Sequence, residues 1–318
     1  MNKSNFVSCA HSFKKWVNSN TRYRVVYDNI GSPKPFDVTL LDGMITLNKY
    51  QISQLKTNHK LNYYHHINFH YQPKNIEVGA ITSKKVFPIF KDTNELIKKI
   101  TECNFESQKL KNFNIPNVYV VIPNEKQFNL IYSKNNNISN YSFITSISNS
   151  FQLNNTKMTL NDSFNDINNI IVRLADSKNN FDSKLYVSCI NECPFEGKLS
   201  NDYIVDSLIK LNSLKTDMIC LSDTCGTLQS KDFKYIIEKS LKAGINNKKL
   251  SLHMHIHPSY EKNAEKIFHT ALDHGINKFD VSLFKNITDE MEKNKQLPNL
   301  SYPLYYKFLQ SYIISKTD

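Results

Sequence analysis

Residues 218–255 read MICLSDTCGTLQSKDFKYIIEKSLKAGINNKKLSLHMH, and this stretch decides the fold. Met218–Ser222 and Leu250–His255 are short runs of strand composition, and between them KDFKYIIEKSLKAG places apolar residues at the i, i+3 and i+4 intervals of a helix. Ser230 stands where an N-cap belongs, and Gly244 where the helix should stop. Strand, helix and strand in that order make a βαβ unit. The alternation continues in both directions, with strands expected at Phe36–Leu41, Asn75–Gly79, Val118–Ile122, Tyr141–Ile147, Leu185–Ile190 and Lys278–Leu283. Helices are expected around Gln54, Leu96, Phe128, Ile170, Leu208, Ile236 and Phe268, and from Tyr302 to about Ile314. SFNDINNIIVRLADS and NDYIVDSLIKLNSL share the helical period, with Ser163 and Ser200 or nearby polar residues as candidate caps and Gly275 as a further stop. Repeated units of this kind ending in a helix predict an α/β protein, a (β/α)8 TIM barrel rather than an open doubly wound sheet. Residues 1–35 read as a short N-terminal extension and 36–318 as the barrel domain. The polar segment Asn58–Lys74 is compatible with loop, helix or an extra strand.

Composition narrows the function classes. The chain has 318 residues, 40% of them hydrophobic, and no apolar run approaches the roughly 20 residues that span a bilayer, so a soluble protein without a membrane partner is expected. Its formal charge of +11 would suit an anionic partner. The lysines are scattered, however, Arg22, Arg24 and Arg173 are the only arginines, and no nucleic-acid-binding fingerprint accompanies them, so no specific nucleic acid is expected. Six irregularly placed cysteines do not form a disulfide framework, and the Cys189–Cys193 pair lacks a second pair at zinc-site spacing. A reducing, cytoplasmic location is the simpler expectation, and the basic, serine-containing N-terminus leaves mitochondrial import as the alternative.

In such barrels the chemistry gathers at the carboxyl ends of the strands. The polar residues at or near those ends are Asp42, Glu77, Asp223, His253 and His255. His253 and His255, two apart on a strand, project from the same face and with one carboxylate can hold a divalent ion. A lone histidine there would be ordinary core or surface. His257 continues the alternation until Pro258 turns the chain. Asp42 stands in FDVTLLDG, where an Asp-Gly pair is by itself more often a turn. Joined to the two histidines it completes one Asp and two His, with positions left for water and a chelating substrate.

Five stretches, IEVGAITSKKVFP, LYVSCINECPFEGKLS, LSDTCGTL, LHMH and FDVS, occur in the order and spacing of the hydroxymethylglutaryl-CoA lyases, and from about Phe36 to about Leu309 the chain resembles that family. The resemblance implies that Asp42, His253 and His255, with Asn299 as fourth ligand, bind Mg²⁺ or Mn²⁺, His255 and His257 being an alternative pair. It also implies that Glu77, Asp223 and His253 are the active-site residues, that the substrate is a small acyl-CoA or oxo-acid, and that the protein forms a homodimer. The family reaction is a retro-Claisen cleavage of a 3-hydroxy acyl-CoA, whose developing enolate charge needs a fixed partner.

The chain departs from the pattern in three places. Leu41 stands where the family has an arginine, Ile45 where it has a glutamine, and VSLFKNITDEMEKNKQLPN lacks the glycines and the cysteine of the family lid. Arg22 or Arg24 is a candidate substitute for the missing guanidinium. Two expectations follow, an impaired carbon–carbon lyase and a catalytically inactive barrel that binds a ligand or partner.

Overall fold

In the computed structural model the described residues are 37–41, 56–62, 64, 73–82, 87–107, 116–132, 138–177, 180–282 and 297–317, with the backbone alone for 37–41, 101–107 and 317. Runs rich in Val, Ile, Tyr and Phe give strands β1 (Asp37–Leu41), β2 (Asn75–Ala80), β3 (Asn117–Ile122), β4 (Asn140–Ser146) and β5 (Asp182–Ser188). A small hairpin, β6 (Glu192–Cys193) and β7 (Gly197–Lys198), precedes β8 (Met218–Asp223), β9 (Leu250–Met254) and β10 (Lys278–Ser282). The helices are α1 (Thr93–Ser107), α2 (Glu125–Tyr132), α3 (Asn149–Thr156), α4 (Leu160–Ala175), α5 (Asn201–Asn212), α6 (Ser230–Lys242), α7 (Glu261–Asp273) and α8 (Tyr302–Thr317). Crossover helices force successive strands to run parallel, and β2, β3, β4, β5, β8, β9 and β10 pair in that order as one curled parallel sheet. The backbone of β1 pairs in parallel with both edges, Leu41 opposite Ser282 of β10 and Thr39 opposite Asn75 of β2, so the strand order returns to its start. All the strands therefore present their carboxyl ends to one side.

Strand alternation sorts the side chains into two layers. Leu185 and Val187 of β5, Ile219 and Leu221 of β8, and Phe279 and Val281 of β10 join the apolar core with residues of the surrounding helices. Phe268 of α7 stacks on Phe279 with ring centroids 4.3 Å apart, and Tyr305 of α8 meets it edge-on. Each such fully buried side chain contributes about 1.5–3 kcal/mol relative to exposure. The residues between them face inward and are polar: Glu77, Ser142, Lys184, Tyr186, Cys220, His253 and Asp280. Their contacts prove the direction, because Lys184 reaches Asp280 past two intervening strands and Tyr186 reaches Glu77 past two others. Such contacts can run only through the interior.

Local signals held unevenly. Ser200 caps α5 by accepting from the Tyr203 amide, and Gly244 and Gly275 follow α6 and α7 in the left-handed conformation. Ser163 is no cap. Thr159 caps α4 through a reciprocal pair with Asp162, while Ser163 is buried inside the helix and bonds to Thr145. Ser230 is the first residue of α6, and its amide donates to the Asn263 side chain rather than being capped from within the helix. Helix α3 and the hairpin were not anticipated; NSFQLNNT has almost no apolar periodicity and owes its start to the Ser148 cap. Of the ambiguous polar segment, residues 58–62 and 64 are helical. The helix expected around Gln54, the extension with Arg22 and Arg24, Asp42, Ile45 and most of the lid stretch lie outside the described residues. Among the described residues no helix is long and apolar enough to cross a membrane.

Candidate metal centre at the carboxyl end of the sheet

His253 is the fourth residue of β9, opposite Ser222 of β8, and His255 is one residue beyond the strand's end. Antiparallel to the end of β9, the Ile256 amide donates to the Pro298 carbonyl (2.7 Å) and the Leu300 amide to the Met254 carbonyl (3.0 Å). Leu300 also accepts from the Ser282 amide at the end of β10. This clamp sets Asn299 directly opposite His255.

The two imidazoles stand nearly perpendicular, 87° between planes, with their Nε2 atoms 3.4 Å apart. Nδ1 of His255 lies 3.0 Å from the Asp223 carbonyl oxygen, which can only accept, so Nδ1 carries the proton and Nε2 a lone pair. Burial, reinforced by neighbouring His253, pushes the His255 pKa down to about 4 against the hydrogen bonds it makes, so the ring is neutral near pH 7. Nδ1 of His253 lies 3.2 Å from Oδ2 of Asp280, a carboxylate whose burial is outweighed by Lys184 and His253, leaving its pKa at about 2. Both rings thus turn Nδ1 to an acceptor and Nε2 toward a common point. With both rings in the Nδ1–H form the two Nε2 lone pairs would converge there, and neutral imidazole nitrogens suit a divalent ion of borderline hardness. The donor set fits a metal. Among the described residues no three His, Cys, Asp or Glu side chains gather as a metal-holding group; the described donors are two histidines and an amide. His257 does not join them, since it is exposed and hydrogen-bonds to Ser259.

Glu77 and Asp223 occupy different surroundings. Oε2 of Glu77 accepts from the hydroxyls of Ser142 and Tyr186, each at 2.9 Å, deep in the polar interior. Burial raises its pKa, with Lys184 opposing. Tyr186 in turn meets the His253 ring edge-on at 5.8 Å, linking Glu77 to the histidine pair through one side chain. The Asp223 carboxylate instead accepts from the amides of Thr227 and Leu228 and ties down the loop after β8. Burial pushes its pKa up to about 6. Its contact with the histidines is made by its backbone carbonyl.

The YVSC–CPFEGK stretch braces the same end of the sheet. Ser148, after β4, bonds to Cys193 at 2.9 Å; Thr227, after β8, donates to Glu192 at 2.7 Å; and the Cys189 amide donates to Thr224. Gly226 completes the brace. At φ +63° a Cβ would fall 2.8 Å from the His255 carbonyl oxygen and 2.6 Å from Leu297. Gly226→Ala is therefore expected to cost about 1–3 kcal/mol of stability, measurable by urea denaturation.

Asp280 and Lys184 were absent from the sequence reading. The available signal was a charged residue at an alternating position within an otherwise apolar strand, in KLYV and in FDVS.

No protein-family model matches the chain, and no curated protein matches it. Solved structures do. The chain is similar to an HMG-CoA lyase from Brucella melitensis, with 17% identity over 87% of this chain and 90% of that one and a TM-score of 0.67. It is similar to hydroxymethylglutaryl-CoA lyase from Pseudomonas aeruginosa, with 17% identity over 88% and 86% and a TM-score of 0.69. A third, an HMG-CoA lyase from Acinetobacter baumannii in complex with coenzyme A and 3-methylmalate, shares 22% identity over 86% and 82%, at a TM-score of 0.65. At these identities the likeness shows a common α/β fold.

Proposed function

We propose that this chain is a (β/α)8-barrel carbon–carbon lyase of the hydroxymethylglutaryl-CoA lyase type, slow because Leu41 replaces a cationic partner, acting on a 3-hydroxy acyl-CoA or a related oxo-acid. The observation that carries the reading is the convergence of the His253 and His255 Nε2 atoms, 3.4 Å apart, at the carboxyl end of the sheet. His253, His255 and Asn299, with Asp42 as the carboxylate, would hold Mg²⁺ or Mn²⁺. When bound, that ion would supply Lewis-acid polarisation of substrate oxygens.

The chain's own groups divide the remaining work. His253, its Nδ1 turned to Asp280, would give its one Nε2 lone pair to the ion and so serves the reaction as an oriented ligand. Glu77, with a raised pKa and two hydroxyl donors, is a candidate proton store beneath it. Asp223 acts through the loop it ties and through its carbonyl on His255, a positioning role. The lyases of similar fold, one of them holding coenzyme A and 3-methylmalate, support a thioester or small acid as substrate.

The test is an assay of purified protein with Mg²⁺ or Mn²⁺ and hydroxymethylglutaryl-CoA, following acetoacetate. The expected result is slow cleavage that His253→Ala abolishes and Leu41→Arg raises by about 10²–10³-fold, the usual worth of one donor to a developing oxyanion. If wild type and Leu41→Arg both match His253→Ala, the cleavage reading fails for this substrate, and a ligand-binding barrel takes its place.

A further inference from the structure

The interior beneath the histidine pair holds a fully buried lysine to which the reaction assigns no task. Lys184 of β5 is 0% exposed, pairs with Oδ1 of Asp280, and lies over the Tyr186 ring with Nζ 4.4 Å from its centroid. A buried lysine inside a barrel invites comparison with amine nucleophiles, which need a depressed pKa. Here burial does work to lower it, but Asp280, Cys220 and Glu77 together raise it, so the amine stays protonated. Its chemistry is that of a fixed positive charge.

That charge acts on one atom set. Oδ1 of Asp280 faces Lys184, which leaves Oδ2 for Nδ1 of His253 at 3.2 Å, with the Cys220 thiol at 3.6 Å on the same oxygen. A carboxylate held by both oxygens cannot rotate away. An imidazole whose Nδ1 must donate to it has only Nε2 to offer.

We infer that the Lys184–Asp280 pair is a positioning device that holds His253 as its Nδ1–H tautomer and aims the Nε2 lone pair at the point shared with His255. The consequence for metal binding rests on the function proposed above. The tautomer does not, because it is a property of the metal-free chain.

The experiment uses the full chain labelled with ¹⁵N-histidine. Ring nitrogen shifts and two-bond correlations are recorded without metal at a pH where His253 is neutral, with His253→Gln identifying its signals. Manganese affinity is then read from the electron paramagnetic resonance signal of free Mn²⁺. In the wild type, His253 is expected as Nδ1–H. In Lys184→Met/Asp280→Leu, which removes both charges together, it is expected to move toward Nε2–H, the form free imidazole prefers, while Mn²⁺ binding weakens by about 10–100-fold. Lys184→Arg, keeping the charge, is expected to retain the wild-type tautomer. Nε2–H on His253 in the wild type overturns the inference whether or not the double variant folds. So does an unchanged tautomer in a folded double variant. Absence of Mn²⁺ binding in a wild type that still shows Nδ1–H would instead count against the proposed metal centre and leave the positioning device standing.

Discussion

Replacing Lys184 by methionine lowers the unfolding free energy by about 3–5 kcal/mol, the usual cost of leaving one member of a buried ion pair without its partner. The setting favours the upper part of that range. Asp280 is 1% exposed, and a second carboxyl group, Glu77, shares the same interior, so removal of the ammonium leaves Asp280 without the cation paired to its Oδ1. The cation–π contact with Tyr186 goes as well. Replacing both partners, Lys184→Met with Asp280→Leu, is expected to recover most of the loss, because a buried pair exchanged for apolar residues is often near neutral. Urea denaturation of the three variants checks this, and a single-variant loss below about 1 kcal/mol would show that the pair is solvated in solution.

Loss of His255 is expected to weaken Mn²⁺ binding by more than 10–100-fold, the range for loss of a mere supporting partner of a ligand. The ring is neutral at physiological pH and its Nδ1 is held by the Asp223 carbonyl, so little reorganisation is needed before it binds. His257→Ala is the matched control. It lies two residues further along, is exposed, and bonds to Ser259, so its removal should leave the affinity within about twofold of wild type. Equal losses in the two variants would restore the alternative pairing of His255 with His257.

Much of the architecture was legible because β/α alternation is a strong local signal. Strands expected from Val, Ile and Tyr runs coincide within one residue with β2 to β4 and β8 to β10 and within three with β5, and the α/β class with a curled parallel sheet follows from their order. The first residue of a helix was less legible, since Ser163 and Thr159 are equally plausible caps by type, and only the Asp162 side chain bonding back to Thr159 separates them. The histidine pair was visible from its i, i+2 spacing. Asn299 was reached only by resemblance, because nothing local reveals that residues 298–301 return to lie against the end of β9. Lys184 and Asp280 were missed for a related reason: 96 residues separate them, and a charge in an apolar strand reads as a defect until its partner is located. Asp223 illustrates the converse, an acid at a strand end whose carboxylate holds a loop while its backbone carbonyl touches the site.

The most direct measurement is an anomalous difference map from a crystal of the full chain soaked in Mn²⁺. One strong peak is expected within about 2.0–2.3 Å of Nε2 of both His253 and His255, with the Asn299 side chain beside it. A peak elsewhere, or none at this point with both rings keeping their orientation, would contradict the proposed metal centre.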